Sequence, residues 1–184
     1  MVQVAPAEPR RWANKSYSML VVIKMLIESN NAQYFLKFYK LTLMNFAGKA
    51  LNNASEFIPV RNKFYEKENE KNNFFPKDAD DDFRNGIKKA FYDDFIYLEK
   101  VRNGYLLRNE KQNKIYLVKA ITTPLEEIIE EFSLIKTVIL PFRGQIICDG
   151  LFEKHNILIG PNMMKELKEE IKEKRKYNEI IKDI

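Results

Sequence analysis

Apolar positions recur along this chain at two periods, and the change between them falls near residue 94. Before it, the spacing is helical. In NAQYFLKFYKLTLMNFAGKAL the residues Tyr34, Phe35, Phe38, Leu41, Phe46 and Ala50 recur every three to four positions, which predicts an amphipathic helix from Asn30. Leu36, Leu43 and Met44 widen the stripe beyond one face, so the helix is expected to be central and buried, with Asn52 and Asn53 ending it. SEFIPVRNKFYEKENEK (55–71) predicts a second helix, with Pro59 in its first turn and Val60, Phe64 and Lys67 on one face. The polar loop ENEKNNFFPKD follows. A third helix, DDFRNGIKKAFYDD, places Phe83, Ile87 and Phe91 on one face, with Gly86 as a weak spot.

Past residue 94 the period drops to two. DFIYLEKVRNGYLLRNEKQNKIYLVKAI predicts three strands joined by turns at RNG (102–104) and NEKQN (109–113). TTPLEEIIEEF predicts a short helix capped by Thr123, with Pro124 in its first turn. Thr137 to Leu140 form the next strand, Pro141 to Gly144 bend it, Gln145 to Cys148 return, and Asn156 to Ile159 form one more. MMKELKEEIKEKRKYNEIIKDI closes the chain as a surface helix whose apolar stripe thins toward its end.

The expected fold is therefore α+β: an N-terminal helical half packed on an antiparallel sheet or small open barrel of five to six strands, with a C-terminal helix. Residues 1–18, rich in Ala, Pro and Arg, are expected to be a flexible arm or leader; 19–92 a helical region; 93–184 the β region with its inserted and C-terminal helices. Residues 19–184 are expected to form one unit.

Composition narrows the classes. The chain of 184 residues is 45% hydrophobic and 31% charged, typical of a globular protein. With one cysteine, Cys148, no internal disulfide is possible, and one thiol with one histidine cannot make a Cys/His zinc site. A reducing, cytoplasmic setting is expected, without a membrane span, since the apolar run MLVVIKMLI (19–27) falls short of the roughly 20 residues a bilayer requires. The net charge of +5 comes from the first half: residues 1–92 carry 15 Lys/Arg against 10 Asp/Glu, while 93–184 carry 16 of each. Such an excess suits a solvated lysine surface as well as an acidic partner.

Candidate chemistry is sparse. DADDD (78–82) begins like a calcium loop, but Phe83 stands where glycine is needed and Lys89 where glutamate is needed. The bland reading is a run of acids at a helix N-terminus. Cys148 and His155 lie seven residues apart across a turn, with Asp149 as orienter; yet a lone cysteine in QIICD more commonly serves as a small buried hydrophobe. Arg143, Asp149 and His155 on the 141–156 hairpin loops are the weak candidates for an enzymatic site, hydrolase-like or nuclease-like. Lys100, Arg102, Tyr105 and Arg108 are the weak candidates for a nucleic-acid face, where aromatics and arginines on a sheet stack bases. No metal or cofactor is expected from the motifs.

The string PFRGQIICDGL carries a resemblance. With IYLVKAITTPLEEIIEEF before it, it resembles the C-terminal half of an uncharacterised family of bacterial and archaeal proteins with an LLPFxGxIIxDGL segment. The matching positions are Leu140, Pro141, Phe142, Gly144, Ile146, Ile147, Asp149, Gly150 and Leu151, then Asn156 and Ile157. RNKFYEKE (61–68) resembles the family's upstream helix, and the likeness runs over residues 33 to 165. Cys148 and His155 depart from the pattern, which has tyrosines there; that counts against a Cys/His pair. The resemblance implies fold boundaries and a cellular setting, and supplies no reaction. The expected function is a non-enzymatic binding or regulatory module for a protein or nucleic-acid partner. Its oligomeric state, a homodimer among the options, stays open.

Overall fold

The computed structural model describes residues 25–184; the expected arm (1–18) and the start of the helical region at 19–24 lie outside the described residues. Helix α1 spans Ser29–Ala47. It stops at Gly48, not at Asn52, because Gly48 takes a left-handed φ of 65° that glycine enters without a Cβ penalty. Helix α2 spans Ala54–Glu66, and the Asn53 side chain caps it by accepting the Glu56 N–H. That cap starts the helix early enough to put Pro59 in its second turn, where the sequence reading had the first.

Helix α3 is short, Asp81–Lys88, with Asp80 accepting the Phe83 N–H as N-cap. The acidic run is thus a helix start. The change of period comes earlier than residue 94, because Phe91 already belongs to a strand. Gly86 is not a weak spot. An added Cβ would lie 2.3 Å from the Pro141 carbonyl oxygen, so glycine lets α3 approach the sheet closely.

Six strands follow: β1 (Phe91–Val101), β2 (Gly104–Asn109), β3 (Lys114–Val118), β4 (Ser133–Phe142), β5 (Gln145–Cys148) and β6 (Glu153–Lys154). The order is β3-β2-β1-β4-β5, antiparallel throughout, with β6 beside β4. A bulge at Leu98 helps the sheet curl. The curl brings the end of β3 round to β5: the Lys119 N–H donates to Ile146 O at 2.9 Å, and the Cys148 N–H to Lys119 O at 2.9 Å. Pro141 lies within β4. The hairpin turn is only Arg143-Gly144, both with positive φ (51° and 69°), the geometry that matches strand twist.

Two other expectations shift. The inserted helix is one 3-10 turn, Leu125–Glu127, without a Thr123 cap; Leu125 and Ile129 turn into the interior instead. The strand expected at 156–159 is β6 at 153–154, where Ile135 and Lys136 supply the partners. Helix α4, Pro161–Lys176, ends the regular structure.

Alternation sorts the strand residues into three cores. Phe95, Tyr97, Tyr105, Ile135, Ile139 and Ile146 fill the inside of the curl. Val138, Leu140, Phe142 and Ile147 face α1–α3. Ile96, Leu98, Leu106 and Ile115 face Leu167 and Ile171 of α4. The helical half and the sheet therefore share a core.

Candidate functional site

Beyond β5 the chain turns at Gly150, whose φ is 79°, and leaves Asp149 beneath the helices. Its N–H donates to Val138 O at 3.0 Å. Its carboxylate is buried and accepts four bonds: from Tyr39 Oη at 3.0 Å, Thr137 Oγ1 at 3.1 Å, the Leu151 N–H at 3.1 Å and Arg61 Nη1 at 3.3 Å. Arg61 is itself fully buried. It also donates to Leu151 O at 3.1 Å, Asn62 Oδ1 at 2.8 Å and Glu153 Oε1 at 3.5 Å, and lies over the Tyr92 ring at 5.1 Å. Burial pushes the Asp149 carboxyl up, and Arg61 and the other donors pull it back. Each charge has partners on several sides, so this junction of α1, α2, β4 and β5 is a closed network.

Cys148 is buried beside it, its Sγ 3.3 Å from Thr137 Oγ1. Burial, with the nearby Asp149 charge, pushes its thiol up to about 12. A thiol so protonated is a poor nucleophile at neutral pH. His155 pairs elsewhere: its ring Nε2 lies 2.8 Å from Asp94 Oδ1, and its backbone N–H donates to Leu134 O at 3.0 Å. Arg143 sits at the hairpin tip, paired with Asp80 and Asp82 at the start of α3.

The three hairpin candidates are therefore not gathered. His155 lies beside Leu134, Asp149 beside Val138, and Arg143 follows Phe142. The eight steps from 134 to 142 along β4 span roughly 26 Å at strand rise.

The four nucleic-acid candidates do not share one open face: Lys100 and Tyr105 pair directly across β1–β2, while Arg108 lies on the other side of the sheet. Tyr105 points into the barrel at 0% exposure, its hydroxyl donating to Glu126 Oε2 at 2.7 Å. Lys100 pairs with the same Glu126 at 2.5 Å. Arg108 lies on the outer face, held by Glu110, by Asn113 and, at 2.9 Å, by Glu170 of α4. Arg102 stands exposed at the β1–β2 turn, and Lys100 is exposed as well despite its pairing.

An open concavity with apolar lining lies elsewhere, along α1. A cavity of about 300 Å³ is lined by Leu36, Tyr39, Lys40, Leu43, Phe57 and Leu151, over Asp149. A second, of about 160 Å³, adjoins it across Leu36 and is lined by Ile121, Leu125, Ile128 and Phe152 among others. Leu36 is 41% exposed and Ile128 47% exposed. Two large apolar side chains thus stand at the rim of one cleft whose floor carboxylate is fully engaged. Lys40 is exposed at the mouth, 6.0 Å from the centre of the Phe57 ring. Such a cleft takes apolar groups and favours an anionic neighbour at one end.

Sequence reasoning missed Arg61, Leu36 and Lys40 as site residues. Leu36 was legible only as surplus on a helix already rich in apolar positions, and it is exposed where that surplus predicted burial. Among the described residues no three His, Cys, Asp or Glu side chains are grouped to hold a metal ion, and no helix is long and apolar enough to cross a membrane. Comparisons with family models, with curated proteins and with solved structures find no match.

Proposed function

We propose that this protein is a non-catalytic binding module of the cytoplasm that takes apolar side chains of a protein partner into the cleft divided by Leu36. The observation that carries the reading is that cleft: a mainly apolar cavity and a second one of mixed lining beside it, with Leu36 and Ile128 standing half-exposed at their rim. Exposed apolar surface on a folded chain costs solubility, and its concentration around a concavity marks an interaction site. Lys40 at the mouth favours a partner carrying a carboxylate beside its apolar anchors. The buried, protonated thiol suits a reducing compartment and gives no reason to expect covalent chemistry.

The test is a peptide selection against the intact protein, followed by fluorescence titration. The expected winners carry two apolar residues with an acidic neighbour, and Leu36→Asp and Ile128→Asp weaken them at least about tenfold, or roughly 1.4 kcal/mol. Winners that bind Leu36→Asp as well as the wild type overturn the reading. Retention on single-stranded nucleic acid that falls steeply with salt points instead to a phosphate-driven partner.

A further inference from the structure

The outward edge of β3 is covered by two different segments. At Lys119 it bonds to β5. Two residues earlier the same edge bonds to the segment after α4: the Leu117 N–H donates to Ile181 O at 2.8 Å, and the Ile181 N–H donates to Ile115 O at 2.9 Å. Tyr116 and Ile181 are thus paired in parallel. Residues 115, 117 and 119 share one side of the strand, so the segment continues the lane that β5 occupies.

The segment is delivered by a helix ending. Asn178 takes a left-handed φ of 55° after Tyr177. Its N–H donates to Arg175 O at 3.2 Å, and the Glu179 N–H donates to Lys174 O at 2.9 Å, the paired bonds of a Schellman ending. The chain then runs beside β3. Ile181 and Ile184 pack, half-buried, against the interior core, and Ile180 packs against the core under α4. Glu179, Lys182 and Asp183 face solvent.

We propose that the β3 edge is a strand-accepting site, held in this structure by the chain's own segment 179–184, and that an extended peptide segment of a partner, with apolar side chains spaced like Ile181 and Ile184, takes its place. Three observations support this. The hold is two main-chain bonds and half-buried side chains, the kind of contact that opens locally without global unfolding. Its departure leaves Ile115 O and the Leu117 N–H as a bare edge, which templates another strand. And the site already has the two parts of strand addition: main-chain bonds for affinity, and side-chain slots on the two sides, with Ile180 toward the core under α4 and Ile181 toward the interior, for specificity. The site is separate from the Leu36 cleft, and neither reading depends on the other.

The test uses the full chain carrying Ile181→Pro, which removes the N–H that Ile115 accepts, and a labelled peptide of residues 177–184. The expected result is saturable binding to the variant at least tenfold tighter than to the wild type, lost when the peptide's Ile181 and Ile184 are serine. A folded variant that binds no peptide, or binds the serine peptide equally, overturns the proposal. Hydrogen exchange on the wild type is the second measurement and needs no variant. The Leu117 amide is expected to exchange faster than that of Leu107 in flanked β2, and to slow when unlabelled peptide is added in excess. Equal protection of the two amides makes the segment a permanent part of the sheet and also overturns the proposal.

Discussion

The outer surface of the curled sheet is covered twice, by different means. Over β4 and β5 lie α1–α3, joined to the sheet by rings and by a buried charge pair. Phe35 meets Phe83 at 5.7 Å and Phe142 at 5.3 Å, edge to face, while Arg61 and Asp149 sit fully enclosed nearby. Over β1–β3 lies α4 alone. Its contacts are aliphatic, Leu167 and Ile171 against Ile96, Leu98 and Leu106, and none of its charges is fully enclosed: Arg108–Glu170 at 2.9 Å is partly buried and Lys172–Glu169 at 2.8 Å is exposed. The difference lies in what a lost partner leaves behind. A surface charge without its partner finds water; a buried one does not. The first covering should therefore be intolerant of single changes and the second tolerant.

The largest break in that comparison is Arg61→Met. The methionine fills much of the space, but Asp149 is left buried without its cation, and Leu151 O loses a donor. A loss of about 3–5 kcal/mol is expected, read from denaturant unfolding at neutral pH. A loss below about 1 kcal/mol would make the two coverings equivalent and remove the argument.

Next comes Gly86→Ala in α3. Helix propensity alone favours alanine by about 1 kcal/mol. The close approach to Pro141 O reverses the sign, because a backbone carbonyl cannot swing aside. A net loss of about 1–3 kcal/mol is expected from the forced shift of helix against strand, measured by thermal unfolding. A more stable variant would place α3 farther from β4 than the 2.3 Å clearance requires.

The hairpin was readable in outline because its parts rest on local chemistry, although the bend expected over Pro141–Gly144 is confined to Arg143-Gly144. Arg143-Gly144 suits a tight turn, Asp80 caps the helix after it, and alternating isoleucines at 146 and 139 fall on one face. The buried junction was not readable. Asp149 stood out, but as the lip of a reactive loop. Arg61, within RNKFYEKE, resembles any solvated arginine. What buries it is contact with a residue 88 positions away, and no local pattern encodes that. Leu36 failed for the opposite reason: an apolar residue on an apolar helix carries no mark of standing at a cleft.

A smaller test concerns the Asp80–Arg143 clasp, which ties the β4–β5 turn to α3 at partial exposure. Partial burial pushes the Asp80 carboxyl up, but the Phe83 N–H and Arg143 outweigh it and hold the pKa below its ordinary 3.8. The unfolded chain thus binds this proton more readily than the folded one. The contribution is present above the ordinary value and is lost as pH falls through the depressed one. The wild type should exceed Asp80→Asn by less than about 1 kcal/mol near neutrality. That gap should close only below pH 3.8. A gap that closes near pH 6 would assign the effect to another group.

The smallest effect is expected at the start of α4. Gly160 is the N-cap, with extended backbone (φ −71°, ψ 161°) and no side chain to satisfy the free N–H groups of the first turn. A Cβ there meets nothing within 4 Å, so Gly160→Ser fits without strain and its hydroxyl can accept from Asn162 or Met163. Glycine is already a tolerable cap, so the gain is a few tenths of a kcal/mol, about 1 °C in melting temperature at this chain length. The sign matters more than the size. The same kind of change, glycine to a small L residue, destabilises at Gly86 and stabilises at Gly160 because one glycine faces a carbonyl across a helix–sheet contact and the other faces water. If Gly160→Ser destabilises by as much as Gly86→Ala, the α4 covering is as tightly constrained as the first, and tolerance must be sought elsewhere on the fold.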